Sequence, residues 1–459
     1  YWEVKAEFIA AAGIYEGRWF DPKFKKDAAE PDARENRLWS EAAAKSIVAA
    51  CRDKKATVTE EAKPATQLAP QLFDLTSLQR EANARFGFSA KNTLGLAQAL
   101  YERHKVLTYP RTDAKALPED YLETVKQTME NLAEHSQEYR PFAKQILQGD
   151  PKEPKGKGYG WIKPNKRIFD NSKISDHFAI IPTLETPKNL SEPEFKLYDL
   201  VVRRFLAVFY PAAEFRVTTR VTEASGHHFK TEGRVLVNPG WLTVYGRSNQ
   251  AEDELVAVQE GETVQTESIA AVPLKTKPPA RYTEATLLSA MESAGKWVDD
   301  DEMREAMAEK GLGTPATRAA IIEGLLAEKY MVREARELIP TAKAFQLMTL
   351  LRGLDVEELT RPDLTGNWEN KLSLIEQGKM NRDTFMQEIA QMTQRIVKRA
   401  KEYDSDTIPG DYATMSTPCP HCKGPVKENY RRFACEKCGF TISKTPGGRA
   451  FEYPEVEEL

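Results

Sequence analysis

Val106-Leu107-Thr108-Tyr109-Pro110-Arg111-Thr112-Asp113 places a phenol two residues before a guanidinium, just after a helical pattern. In extended backbone, residues i and i+2 project to the same side, so Tyr109 and Arg111 are expected to face one phosphate together. A phenol with a pKa near 10 is only about 0.1% ionised at pH 7, so a nucleophilic tyrosine needs neighbouring positive charge or a base. Arg111 offers that charge and can also stabilise the oxygens of a transition state. The competing reading is a Tyr-Pro packing corner.

The motif lies in a helical block. Thr76 and Gln79 read as a capping box for a helix through Phe86, Gly87 ends it, and Ser89 caps a second helix to about His104. Two helices across a tight turn resemble a helix-turn-helix. Further helices are expected at 119–134 and 191–210, the latter with Ser191 and Glu194 as a box. On both sides the period changes to β alternation: 1–9, 15–20 and 57–60 before, with a helix at 40–52 and a connector at 63–70, then 214–222, 229–237 and 241–245 after. Strands, helices and strands again imply an insertion. The expected division is a β domain from 1–73 and 212–277, an inserted helical domain at 74–211, a helical, winged-helix-like domain at 278–404, and a linker with a cysteine module at 405–459. Helices in the fourth unit are expected at 283–293, 301–310, 314–328, 341–352, 369–376 and 381–403, with a hairpin in 329–341. Asp299-Asp300-Asp301 reads as a helix start, not a metal site.

Composition sets outer limits. The 459 residues are 41% hydrophobic and 29% charged, which excludes collagen, coiled coil and wholesale disorder. No apolar run approaches the ~20 residues of a membrane span, so a cytoplasmic, membrane-free protein is expected. Lys and Arg number 65 against 69 acids, so global charge does not announce a nucleic-acid partner. The sequence begins at Tyr1 and stops in what reads as the opening of a helix, so truncation at both ends is expected.

Local sequence says more. Cys419-x-x-Cys422 and Cys435-x-x-Cys438 are two knuckles, and two thiolate pairs close a tetrahedral structural zinc site. A redox dithiol is the alternative. His421 reads as a bystander, and His227-His228, without carboxylate company, as structural. Residues 417–450 carry seven Lys or Arg against two acids, with Tyr430, Phe433 and Phe440 interleaved, the charge and stacking faces that single-stranded nucleic acid requires. Residues 152–173 carry seven basic side chains against two acids, and Lys163, Lys166 and Arg167 are candidates there for a DNA-facing loop; a solvated charge run is the alternative.

The TYPRTD segment resembles the active-site motif of type IA DNA topoisomerases. Upstream, Leu75-Thr-Ser-Leu-Gln-Arg-Glu-Ala-Asn83 and Phe86-Gly-Phe-Ser-Ala90 are similar to the helical pair that precedes that tyrosine. Downstream, Asp176-His177-Phe-Ala-Ile-Ile-Pro-Thr183, Pro279-Ala-Arg-Tyr-Thr-Glu284, Gly311-Leu-Gly-Thr-Pro-Ala-Thr317 and Leu364-Thr-Gly-Asn-Trp-Glu369 resemble later motifs of the family, in order. The Tyr-Pro-Arg form and the cysteine ribbon point to the topoisomerase III branch.

The resemblance implies an α+β multidomain fold: a toroidal core with a β-rich arch, helix-turn-helix-like domains and a zinc ribbon. It implies that Tyr109 attacks a phosphate of single-stranded DNA, leaving a 5'-phosphotyrosine and a free 3' hydroxyl, with religation needing no ATP. Arg111 would hold the phosphate and His177 would assist by hydrogen bonding or proton transfer; its bland alternative is a histidine satisfied inside the helical block. Thr112 and Asp113 complete the DNA-facing motif, and Thr314, Thr317 and Arg318 would contact the DNA backbone, with simple N-capping as the other reading. The family also has an amino-terminal Toprim domain that binds Mg²⁺, and no segment here supplies its acidic cluster. The chain alone is therefore expected to bind single strands but to be catalytically incomplete. A monomer, and a helicase or single-strand-binding protein as partner, belong to the same expectation. The rival of a different class is a non-catalytic single-stranded nucleic-acid binding protein. A relaxase or recombinase fits less well, for want of paired histidines or an arginine cluster.

Overall fold

Alternating apolar residues in the first strand already demand a partner sheet. In the computed structural model, which describes residues 1–151, 158–246, 254–259, 261–298, 301–307, 311–403, 414–428, 432–444, 451 and 453–458, that sheet is a closed barrel. Its strands are β1 (Trp2–Ala10), β2 (Gly13–Phe20), β3 (Lys55–Gln67), β4 (Ala213–Ala224), β5 (His227–Asn238) and β6 (Thr263–Pro273), ordered β1-β2-β5-β4-β3-β6 and antiparallel throughout. Three strands precede the helical block and three follow it, so the block is an insertion in the barrel. Val4, Ala6 and Phe8 face inward, with Phe8 edge-on to Phe229 at 5.4 Å. The guanidinium of Arg220, 1% exposed, pairs with Glu60 at 2.8 Å and lies 4.4 Å over the Tyr15 ring. Helix α1 (Glu41–Cys51), capped by Ser40, adds Ala44, Ile47, Val48 and Cys51 to this core.

Two expectations fail here. The connector at 63–70 is strand as far as Gln67, with Pro64 opposite Arg216. Past Thr57 the far side of β3 pairs with no strand among the described residues, and an edge tolerates proline. Residues 241–245, expected as a strand, form a 3₁₀ turn, because Trp241 and Val244 bury against the helical block and the Trp241 indole donates to the Gln67 carbonyl at 2.8 Å. Gly240 makes the turn possible at φ +49°: a Cβ there would lie 2.4 Å from the Ala212 carbonyl oxygen.

The inserted block contains α2 (Leu75–Phe86), α3 (Ala90–Glu102), α4 (Leu122–His135), α5 (Arg140–Gln148) and α6 (Glu192–Phe209) around one core. The cap of α2 is Asp74, whose carboxylate accepts from the Ser77 amide at 2.7 Å, two residues before the expected box. Gln79 is instead buried and donates to the Ala90 carbonyl at 3.0 Å, tying α2 to α3. Gly87 terminates α2 in the left-handed region and Ser89 caps α3, as expected. Helix α5 was not expected. The Ser191 and Glu194 box starts α6, whose Glu194 also pairs with Arg103 and His104.

After the barrel come α7 (Glu284–Glu292), α8 (Asp301–Met307), α9 (Pro315–Ala327), the hairpin β7 (Met331–Glu334) and β8 (Glu337–Pro340), α10 (Ala342–Gly353), α11 (Asp363–Glu376) and α12 (Arg382–Glu402). Helix α11 begins six residues before expectation. Gly366, which reads as a breaker, is where α11 meets α8: a Cβ there would sit 3.1 Å from the Met307 sulfur. This unit is fastened to the helical block by polar contacts, including the Ala90 amide to Glu284 at 2.7 Å and Arg336 to the Ala84 carbonyl at 2.9 Å. A small three-stranded sheet, β9 (Val426–Glu428), β10 (Arg432–Cys435) and β11 (Thr441–Ser443), carries the cysteines, and α13 (Tyr453–Glu458) packs beside it. Among the described residues no helix is long and apolar enough to cross a membrane.

Candidate active site

The segment after α3 runs extended, and its side chains alternate. Pro110, Thr112 and Ala114 are buried, while Tyr109 is half-buried and Arg111 and Asp113 are exposed. Threonines on either side of the tyrosine clamp the segment to residues 177–181. Thr108 donates to the Ala179 carbonyl at 3.0 Å and accepts from the Ile181 amide at 2.9 Å; Thr112 donates to the His177 carbonyl at 3.0 Å. Backbone fixed at both ends holds the Tyr109 ring in a defined place.

That place lies between two rings. Tyr101 of α3 meets Tyr109 edge-on, centroids 5.4 Å apart and planes at 82°, and His177 lies against it at 4.2 Å. His177 is exposed, so it is not a histidine satisfied inside the block. Arg111 donates through Nε to Gln98 at 3.2 Å, one turn from Tyr101 on the same helix, leaving its terminal nitrogens outward. Sequence reasoning missed Gln98 and Tyr101; their i, i+3 spacing on the helix just before the motif was the available signal. Asp113 faces Ser175 at 3.5 Å.

A cleft of about 950 Å³ opens beside this segment, lined by Asp113 and Lys115 together with Thr314, Arg304 and Lys296 of the second helical unit. Lys115 bridges Asp74 at 3.4 Å and Glu292 at 3.6 Å. Burial raises the Asp74 carboxyl above its ordinary range, with Lys115 opposing the shift. Thr314 and Thr317 are exposed at the start of α9 and bond each other at 3.1 Å, a reciprocal cap.

Arg318 lines this cleft from a buried position. It is 3% exposed, and its guanidinium donates to Thr76 at 2.8 Å and to the carbonyls of Leu312 and Gly313 at 3.0 and 3.1 Å. Bonded to these acceptors, it joins α9 to α2 at the wall of the cleft. Replacing Arg318 with Ala should strand those acceptors and lower stability by roughly 3 kcal/mol, seen as an earlier melting transition of the whole chain. Lys should restore only part, since one ammonium cannot reproduce the fork.

The basic loop is not joined to the tyrosine. Lys166 pairs with Glu119 at 2.5 Å, and Arg167 turns inward to the Ala69 carbonyl, where burial lowers its pKa. Lys163 is half-buried, and residues 152–157 lie outside the described residues. His228 has carboxylate company after all: Glu223 lies opposite it across the strand pair, at 3.6 Å.

The four cysteine sulfurs lie within 4.8 Å of one another, with Cys419 to Cys438 at 3.6 Å and Cys422 to Cys435 at 3.4 Å. A tetrahedron with zinc–sulfur bonds of about 2.3 Å has edges near 3.8 Å, so the set fits zinc. Burial pushes the Cys435 thiol up, but amides of Lys437 and Cys438 and the neighbouring thiols bring it down, while Cys438, though the Phe440 amide lowers it, is pushed up by the thiols around it. His421 stacks on Phe440 at 5.0 Å, outside the cluster. Phe433 corrects the expectation of three stacking faces: it is 1% exposed and forms the ribbon core, while Tyr430 lies outside the described residues. Among the described residues the cysteines are the set of three or more ligand-type side chains close enough to share an ion.

Comparison with known proteins agrees with this geometry. A family model described as DNA topoisomerase matches residues 1–387. DNA topoisomerase 3 of Bacillus cereus is 38% identical over 438 residues, covering 90% of this chain and 57% of the relative. That of Bacillus subtilis is 37% identical, covering 91% and 58%. This chain thus spans a little over half the length of these relatives. Full-length topoisomerase I from Thermotoga maritima shares the fold, with a TM-score of 0.66 at 21% identity over 96% of this chain and 66% of that one. The chain belongs to the type IA DNA topoisomerase family, in its topoisomerase III branch.

Proposed function

We propose that this chain carries the strand-cleaving tyrosine and part of the DNA-binding surface of a topoisomerase III. The Tyr109 oxygen attacks the phosphorus of a backbone phosphate in single-stranded DNA. The bond to the 3' oxygen breaks, that oxygen takes a proton and leaves as a hydroxyl, and a 5'-phosphotyrosine ester forms. After strand passage the 3' hydroxyl attacks the ester and releases the tyrosine. One ester replaces another in each direction, so no nucleotide is consumed.

The observation that carries this reading is the setting of Tyr109. It is a half-exposed phenol stacked on His177 and braced by Tyr101, with Arg111 emerging on the same side of a segment clamped by two threonines. Arg111 holds the phosphate and stabilises its oxygens in the transition state. His177 hydrogen-bonds the reacting phosphate or moves its proton. Thr112, Asp113, Thr314 and Thr317 help hold the strand, and the domains divide after residues 73, 211, 277 and 404. The Toprim part and its Mg²⁺ lie outside this chain, which by itself binds single strands and cleaves poorly. Work as a monomer in the bacterial cytoplasm, on DNA exposed by a helicase or single-strand-binding protein, completes the reading.

A test mixes the chain with a separately made Toprim domain of a close relative, Mg²⁺ and an oligonucleotide labelled at either end. Label should stay with denatured protein only from the 3'-labelled strand. Capture of the 5' label instead would contradict the assigned polarity, and capture of neither would favour a protein that only binds.

A further inference from the structure

We propose that Trp297 is a stacking platform for one unpaired nucleobase of a bound single strand, at the rim of the cleft, with Lys296 holding the adjacent phosphate. The proposal rests on the single-strand-binding part of the reading above and adds a site to it. Trp297 is 67% exposed, the highest value among the large hydrophobic side chains in the described residues. Its exposure is imposed by the fold. The residue ends a 3₁₀ turn, Ala294–Trp297, between α7 and α8. Ala294 and Val298, 2% and 1% exposed, are packed with Met307 in a small core of their own. Arg304 donates to the Val298 carbonyl at 3.0 Å, and Gly295 is so close to Met307 that a Cβ would lie 3.2 Å from that side chain. With residues on both sides pinned inward, the indole is held out in water on a rigid support.

Position and charge choose the occupant. Lys296, next to Trp297, lines the same cleft as Asp113 and Lys115, which follow the tyrosine motif, and Thr314. Of the four carboxylates lining the cleft, Asp74 and Glu292 are paired with Lys115, and Glu292 also with Arg80; Asp113 faces Ser175, and Glu369 is the fourth. Lys296 has no ion-pair partner among the described residues, so its ammonium is available at the rim. An exposed aromatic face on an anchored backbone, beside an available cation and next to a cleft continuous with the strand-binding motif, matches how unpaired nucleic acid is held: bases on rings, phosphates on cations, without base-edge readout. A preformed face also costs little side-chain entropy on binding.

The test titrates the full chain with oligodeoxythymidylate, following anisotropy of a labelled strand and intrinsic tryptophan emission. Trp297→Ala should weaken binding about tenfold, whereas Trp297→Phe, which keeps a ring, should stay within about twofold of the parent. Lys296→Ala should reduce the logarithmic salt slope by about 0.7, one phosphate on a single strand. Quenching of emission on binding should shrink in Trp297→Phe by the share of the stacked indole. An abasic oligonucleotide should bind the parent and Trp297→Ala equally. Unchanged affinity and quenching in both tryptophan variants, with the parent binding normally, would overturn this site and leave the wider reading intact. Failure of the parent to bind any single strand would instead remove the reading on which it rests.

Discussion

Tyr109→Phe should abolish covalent capture of DNA, by about a thousandfold or more in the two-component cleavage assay, because removing a nucleophile removes the step and not a fraction of it. Single-strand affinity should change by no more than about twofold, because the phenyl ring keeps its place between Tyr101 and His177 and loses only its hydroxyl. The two readouts separate chemistry from binding. If Tyr109 served only as a stacking face, the variant would behave as the parent in both. Gel retention of 3'-labelled strand after denaturation measures the first readout, and anisotropy the second.

The second large effect concerns zinc. The native chain should hold about one zinc, and Cys435→Ser or prolonged chelation should reduce this to none, since each thiolate is one of four ligands. The ribbon has little else to hold it: its core is Met415, Val426, Phe433 and Val456 with the cysteines themselves. Metal binding worth roughly 10 to 16 kcal/mol is therefore most of its folding energy. Residues 414–444 should become protease-sensitive on metal loss. The barrel and the inserted helical block have separate cores and should melt as before. Metal content by mass spectrometry and limited proteolysis of the same sample check both halves.

Much of this was legible in the chain, for physical reasons that differ by element. Most barrel strands show because half-buried strands must alternate, and the flanking of helices by strands betrays the insertion, but β6, which closes the barrel, was not among the strands expected. The chemistry of Tyr109 and Arg111 shows because an extended segment also has period two, and the structure places Tyr109, Arg111 and Asp113 on the solvent side. What sequence hides is which polar group the fold consumes internally. Arg318 is charged and sits at a helix start, the profile of a backbone contact, yet the fold buries it against Thr76. Arg167 looks available but turns inward to the Ala69 carbonyl, whereas Lys166 stays exposed in a surface pair with Glu119. Phe433 alternates with basic residues like a stacking face, but a ribbon this small needs it as core. The same override turns the β-favouring run at 241–245 into a 3₁₀ turn and carries β3 through Pro64. The i, i+3 spacing of Gln98 and Tyr101 puts them on one face of α3, but only the fold shows that the tyrosine segment turns back onto that face.

In the proposed reaction one phenolic oxygen, that of Tyr109, takes over a DNA phosphate at its 5' side. Proteolysis of the trapped adduct followed by mass spectrometry of the nucleotide-bearing peptide tests it most directly. The expected result is a single modified peptide spanning residues 106–113, carrying a 5'-phosphorylated fragment on Tyr109 and missing from the Tyr109→Phe protein. A nucleotide found on any other residue, or on the same peptide when Tyr109 has been replaced, would contradict it.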